Sequence, residues 1–214
     1  KNEPAGKEWF ERSYTPLKAE AEQGMEEAFW RLGYLYFHGY GVSEDTARAK
    51  HWCDRSARAG YADGQFLLGE IYCSGKGVLK DYSQAKYWYE KSAEKRNSDG
   101  LCRLGDLYFE GQGVTQDYAR AQYWYERSAK LGNAAGQLKL GDLYYFGQGV
   151  PQNFARAKHW YEKAAKQGNA IGQLKLGELY IVGEGVPQDN LKAKFWLEKS
   201  AAQGNEKAIE HLKT

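Results

Sequence analysis

From Gly136 to Asn169 the chain reads GQLKLGDLYYFGQGVPQNFARAKHWYEKAAKQGN. The opening segment has helical periodicity: Leu140, Leu143 and Tyr144 stand at i, i+3 and i+4 and form one apolar face. Gly147 reads as a left-handed C-terminal stop, because glycine reaches that conformation without steric cost. Gly147 to Pro151 is then a loop. A second helix runs from about Phe154 to Lys166, with Asn153 placed to accept from the free amides of its first turn. Ala157, Trp160, Tyr161, Ala164 and Ala165 recur along it at helical spacing, and Gly168 closes the stretch. Gly141 and Ala165 are expected where the two helices approach closely, and the Trp160 indole is expected to fill the gap between hairpins.

The stretch returns every 36 residues. Leu-Gly recurs at Leu32-Gly33, Leu68-Gly69, Leu104-Gly105, Leu140-Gly141 and Leu176-Gly177; Trp52, Trp88, Trp124, Trp160 and Trp196 keep the same step. So do Gly-Val pairs at 41, 77, 113, 149 and 185, and the capping residues Asp45, Asp81, Asp117, Asn153 and Asp189 stay close to register. Such a period is the signature of a repeat array, whose units bury their apolar faces only against neighbours. The expected fold is all-α, with eleven or twelve helices and no sheet: a solenoid of antiparallel helix pairs in one continuous array. Repeats fall at 28–60, 64–96, 100–132, 136–168 and 172–204, between an N-terminal capping helix at 5–23 and a C-terminal one at 205–214. Pro16 replaces the tryptophan in the first cap, as atypical terminal units allow. Arg96 replaces the closing glycine of the second repeat, which predicts an altered helix end at 95–97 with the left-handed residue moved to Asn97 or lost.

A net charge of +2 with 27% charged residues pulls the chain toward neither nucleic acid nor a membrane surface. No apolar run approaches a membrane span. The chain opens on Lys1 without a signal-peptide core, so it reads as trimmed or mature: periplasmic or exported if a signal was removed, otherwise cytoplasmic. Cys53, Cys73 and Cys102 occupy three different repeat positions, which suits buried free thiols and not a disulfide framework.

Candidate chemistry is thin. The Gly-x-Gly runs follow a helix, whereas a dinucleotide cradle needs a strand, the glycines, then a helix. His51 and His159 share a repeat position three units apart, too far for one metal, and no histidine stands in a recognisable relay with a nucleophile. No cofactor, metal or enzymatic activity is expected.

Leu-Gly-x-x-Tyr, then Gly-x-Gly-Val, an acidic cap, Ala-x-x-Trp-Tyr and a closing Gly resemble the Sel-1-like repeat family over about 180 residues. The family is related to the tetratricopeptide repeat, whose unit has about 34 residues. The resemblance implies a right-handed superhelix and a role as a bacterial scaffold or adaptor; some members are similar to receptors for host proteins or to immunity proteins that neutralise a toxin. A cysteine-rich exported branch is linked to β-lactam binding or hydrolysis. Tyr89, Tyr125 and Tyr161 stand where Cys53 stands, so the paired cysteines of that branch are missing.

By the same resemblance, one side of the first helix of each pair lines a concave face. Counted from the Leu of Leu-Gly, minus two is Trp30, Phe66, Cys102, Leu138 and Leu174; plus five is Phe37, Cys73, Phe109, Tyr145 and Ile181; plus six is His38, Ser74, Glu110, Phe146 and Val182. Exposed apolar patches mark interaction sites, and aromatic residues anchor them. A charged ladder runs between these stripes, Arg31, Arg103, Lys139 and Lys175 at minus one with Glu70, Asp106, Asp142 and Glu178 at plus two, and pairs at i, i+3. The candidate partner-binding set is Trp30, Tyr34, Phe37, Phe66, Phe109, Leu138, Tyr145, Phe146 and Ile181, with Arg103, Lys139 and Lys175 fixing register. The expected partner is a protein or peptide segment, held by a monomer or weak dimer without membrane insertion. The second helix exposes Lys86/Glu90, Lys158/Glu162 and Lys194/Glu198, an ordinary solvated face.

Overall fold

Free amides and carbonyls at helix ends need partners, and the repeat supplies them in order. In the computed structural model, which describes residues 14–213, twelve helices and no strand occur among the described residues. α1 is described over 14–22; the expected cap from residue 5 to 13 lies outside the described residues. The others are α2 (Glu26–His38), α3 (Thr46–Arg58), α4 (Ala62–Ser74), α5 (Tyr82–Glu94), α6 (Ser98–Glu110), α7 (Tyr118–Lys130), α8 (Ala134–Phe146), α9 (Phe154–Lys166), α10 (Ala170–Val182), α11 (Asn190–Ala201) and α12 (Glu206–His211).

Asp45, Asp81, Asp117, Asn153 and Asp189 each accept from first-turn amides of the helix they precede. The first helix of a pair stops on a left-handed glycine, as at Gly147 (φ 68). Each loop is pinned where the amide of the next capping residue donates to the Leu-Gly-x-x-Tyr tyrosine carbonyl: Asp81 to Tyr72 at 3.0 Å, Asn153 to Tyr144 at 2.8 Å. A second cap was not anticipated. Asn97, Asn133, Asn169 and Asn205, each one residue beyond the closing position, cap α6, α8, α10 and α12.

The chain forms two compact units, with the division inside α6. The first holds the described residues up to Leu107, with Gln112–Thr115. In it α2 packs on α3 and α4 on α5, and Leu32, Leu68, Ile71, Tyr89, Leu101 and Leu104 are its most buried large side chains. The second holds Tyr108–Gly111 with the chain from Gln116 onward; α8 packs on α9 and α10 on α11 around Tyr125, Leu140, Leu143, Tyr161 and Leu176.

The expectation for Trp160 is corrected. The indole is only half-buried, and Lys163 lies 4.6 Å above its ring. The fully buried residue is Tyr161, whose ring lies on Gly141: a Cβ there would sit 2.6 Å from it. Gly69 and Tyr89 repeat the arrangement, with 2.5 Å. Gly141 therefore admits an aromatic ring rather than Ala165. Ala164 and Ala165 pack instead against Gly172 of the following pair.

The expectation for Arg96 is also overturned. Arg96 itself is left-handed (φ 61), and its amide bonds to Ala93 as that of Gly132 does to Ala129. Asn97 cannot take the role because its side chain caps α6, accepting from the Gly100 amide at 2.8 Å, and donates to Asp63 at 2.8 Å. An N-cap needs extended backbone.

Candidate functional site

The charged ladder has a second partner that spacing did not reveal. Glu70 accepts a short hydrogen bond from the Tyr89 hydroxyl and pairs with Arg103 of the next repeat at 2.9 Å; Arg103 also reaches Asp106 at 3.3 Å. Asp142 accepts from Tyr161 at 2.7 Å. Glu70 and Asp142 thus satisfy the buried hydroxyls of Tyr89 and Tyr161 on the second helix, as a desolvated hydroxyl requires. Burial, and then the neighbouring carboxylate, push the Tyr89 and Tyr161 phenols far above their ordinary range. Burial also raises Asp142. A signal was present in the sequence: the first repeat, which has Cys53 in place of the tyrosine, has Tyr34 in place of the acid. In the fifth, Leu197 replaces the tyrosine, and Glu178 is held by Lys175 at 3.3 Å and His211 at 3.4 Å.

In the first compact unit the predicted residues differ in exposure. Trp30 and Phe66 are half-buried, with Arg31 over the Trp30 ring. Phe37 is only 7% exposed: α2 is packed by both α3 and α4, and Phe37 joins the core with Leu67 and Ile71. As a contact residue Phe37 is therefore corrected to core. Tyr34 remains exposed beside His38, with ring centroids 4.3 Å apart, and His38 stacks on Tyr40. Arg103 is exposed but engaged by Glu70 and Asp106.

In the second unit Leu138, 8% exposed, is likewise corrected to core, on a helix packed by both α7 and α9. Phe109 is half-buried against Tyr118 and Tyr125. Tyr145 is half-buried against Phe154 and Tyr161, and meets Phe146 edge-on at 4.9 Å. Ile181, Lys139 and Lys175 are half-buried. Phe146 is 57% exposed and Val182, which closes α10, 64%. Position plus six is exposed in all five repeats, and in the last two it is apolar. Burial, followed by a hydrogen bond with Glu184, raises the Tyr145 phenol. Oε2 of Glu184 is buried with no hydrogen-bond partner among the described residues.

The outer helices carry the expected pairs, Lys86–Glu90 at 2.7 Å and Lys158–Glu162 at 3.2 Å. They also carry what was missed: a cation three residues after each tryptophan, with Arg55, Arg127, Lys163 and Lys199 lying over the rings of Trp52, Trp124, Trp160 and Trp196. The three cysteines are free, with Cys53 and Cys102 buried and Cys73 half-buried. Among the described residues no three metal-ligating side chains converge, and no helix is long and apolar enough to cross a membrane.

The Sel1 repeat model matches five consecutive segments, 27–61, 62–97, 98–133, 134–169 and 170–205. A solved protective antigen of uropathogenic Escherichia coli with an SLR fold is 39% identical, with a TM-score of 0.79 over 90% of this chain. This chain spans 41% of that protein's length. A Sel1 repeat protein from Oxalobacter formigenes is 36% identical (TM-score 0.82), covering 87% of this chain and 76% of its own. An immunity protein from Pseudomonas aeruginosa shares the fold at 19% identity (TM-score 0.66; 90% of this chain, 74% of its own). No curated protein is significantly similar in sequence.

Proposed function

This chain belongs to the Sel1 repeat family, whose members are in general protein-interaction scaffolds, and on that premise we propose that it binds a partner protein without catalysis. We place the contact on Tyr145, Phe146, Ile181 and Val182 at the C-terminal ends of α8 and α10. The observation that carries this reading is the exposure of Phe146 and Val182 at adjacent copies of one repeat position, beside half-buried Tyr145 and Ile181. Exposed apolar groups in register lower no folding free energy, whereas they anchor an interface well. Lys139 and Lys175 flank the patch and set register. In the first compact unit Trp30, Tyr34, Phe66 and Arg103 remain candidates for a separate contact.

A photo-crosslinking residue at 146 or 182, compared with one at 163 on the outer face, tests the assignment. Crosslinks to a common partner from 146 and 182 alone support it. With that partner in hand, Tyr145→Ala with Phe146→Ala should weaken binding by about 2–4 kcal/mol, as the loss of aromatic anchors does. Unchanged affinity removes the site. A second reading, toxin neutralisation, is suggested by the immunity proteins of the same fold. It requires that the partner be an enzyme inhibited stoichiometrically by this chain.

A further inference from the structure

We infer that the cavity beside Arg156 receives the carboxylate of an aspartate or glutamate side chain from a protein partner. The inference takes from the proposed function only that the partner is a protein; its residues are not those of the apolar contact.

The cavity, about 360 Å³, is lined by Gln122 of α7, Tyr144 of α8, Val150 and Pro151 of the loop, the capping residue Asn153, and Arg156 in the first turn of α9. All six belong to the second compact unit. Its polar groups are mainly donors. Arg156 Nη1 donates to the Tyr144 hydroxyl at 3.2 Å, Gln122 Nε2 reaches the same oxygen at 3.4 Å, and the guanidinium lies 5.2 Å from the centre of the Tyr144 ring. The Tyr144 oxygen is thereby taken. The other N–H groups of the exposed Arg156 fork meet no acceptor among the described residues.

The repeat explains why this cation is open. In three other repeats the basic residue three positions beyond the capping aspartate pairs with it: Arg48 with Asp45 at 3.2 Å, Arg120 with Asp117 at 3.3 Å, Lys192 with Asp189 at 2.9 Å. In the second repeat Gln84 stands in place of the cation. The fourth alone joins a cation to a neutral cap, Asn153, whose side-chain oxygen is spent on the Arg156 amide at 2.9 Å. Glu162, the acid of α9, is held by Lys158 and Lys166. Arg156 pairs with no carboxylate among the described residues.

A carboxylate answers this arrangement. Its two oxygens match the guanidinium fork, and Val150 and Pro151 offer an apolar wall to the methylene stem behind it. One cation balances one negative charge, whereas a phosphate carries nearly two and calls for more than one arginine. A basic side chain would meet repulsion from Arg156, and an apolar one would make no use of the donors.

The test uses a phage-displayed random dodecapeptide library as the probe, selected on the whole chain and counter-selected on Asn153→Asp. That variant restores the aspartate cap of the other repeats, so it should keep the fold, as circular dichroism will check, while giving Arg156 an internal partner. Clones lost on Asn153→Asp should be enriched in aspartate or glutamate. Arg156→Gln, or replacement of the clone's acid by its amide, should each weaken binding about tenfold, the effect of one lost charge-assisted contact. The two changes together should cost little more than either alone. Clones without acidic enrichment, or with fully additive losses, overturn the inference. Phosphoserine in place of the acid binding more than tenfold tighter would also overturn it, in favour of a phosphate site. Clones lost on Phe146→Ser yet indifferent to Asn153→Asp overturn this inference and leave the apolar contact standing, whereas no clones at all count against both.

Discussion

The Tyr161 hydroxyl donates to Asp142 at 2.7 Å across the α8–α9 pair while its ring rests on Gly141. One side chain therefore fills the hairpin and ties its second helix to a partly buried acid on its first.

Tyr161→Ala should destabilise the chain by about 3–5 kcal/mol, because a fully buried aromatic leaves a cavity. Trp160→Ala should cost clearly less, its indole being half in water. Urea unfolding of the two variants ranks them, and equal losses would return the tryptophan to the core. Tyr161→Phe keeps the packing and should lose only about 1 kcal/mol.

Alkaline pH should unfold the array through these tyrosines. The folded pKa values of Tyr89 and Tyr161 are raised, so their contribution is complete below the unfolded phenol value near 10 and is lost as pH climbs above it. Tyr89→Phe with Tyr161→Phe should move the alkaline midpoint upward. Ultraviolet difference absorption should show that the phenolates removed by these changes form only as helical circular dichroism disappears. Their ionisation in an intact fold would contradict the burial argument.

Arg96→Gly should stabilise the chain. A non-glycine residue in the left-handed region carries about 1–2 kcal/mol of strain, of which the greater flexibility of unfolded glycine returns part, so a gain of about 1 kcal/mol is expected. A thermal midpoint that stays level or falls would show that Arg96 makes a compensating contact.

Gly149→Ala and Gly168→Ala separate backbone strain from packing. Both positions have positive φ, 71° and 87°. A methyl group at Gly168 would enter open space, whereas one at Gly149 would lie 2.5 Å from the Tyr118 Cβ and 2.9 Å from its carbonyl carbon. Gly168→Ala should cost about 1–2 kcal/mol and Gly149→Ala distinctly more, read as denaturant midpoints. Equal costs would mean that the second glycine of Gly-x-Gly serves conformation alone and not the stacking of one repeat on the preceding one.

The period, the helix pairs, the acidic caps and the left-handed glycines were legible in the sequence, since each follows from local backbone chemistry repeated five times. The chain also displayed which residues stand at plus five and plus six of each repeat. It did not display that Phe37 and Leu138 are covered while Phe146 and Val182 are open, because one helix face is shared among neighbours at different distances. Nor could it rank Trp160 against Tyr161. The two are adjacent on one helix, about a quarter turn apart, and only the approach of α9 to Gly141 decides which ring goes inside. The cap at Arg96 is of the same kind: local preference favours asparagine in the left-handed position, but Asn97 is held by the Gly100 amide and by Asp63 on another helix. Sequence determined what recurs along the chain. Tertiary packing decided which side chain of each recurring set is buried, strained or left open to a partner, because burial depends on the neighbour and not on the residue.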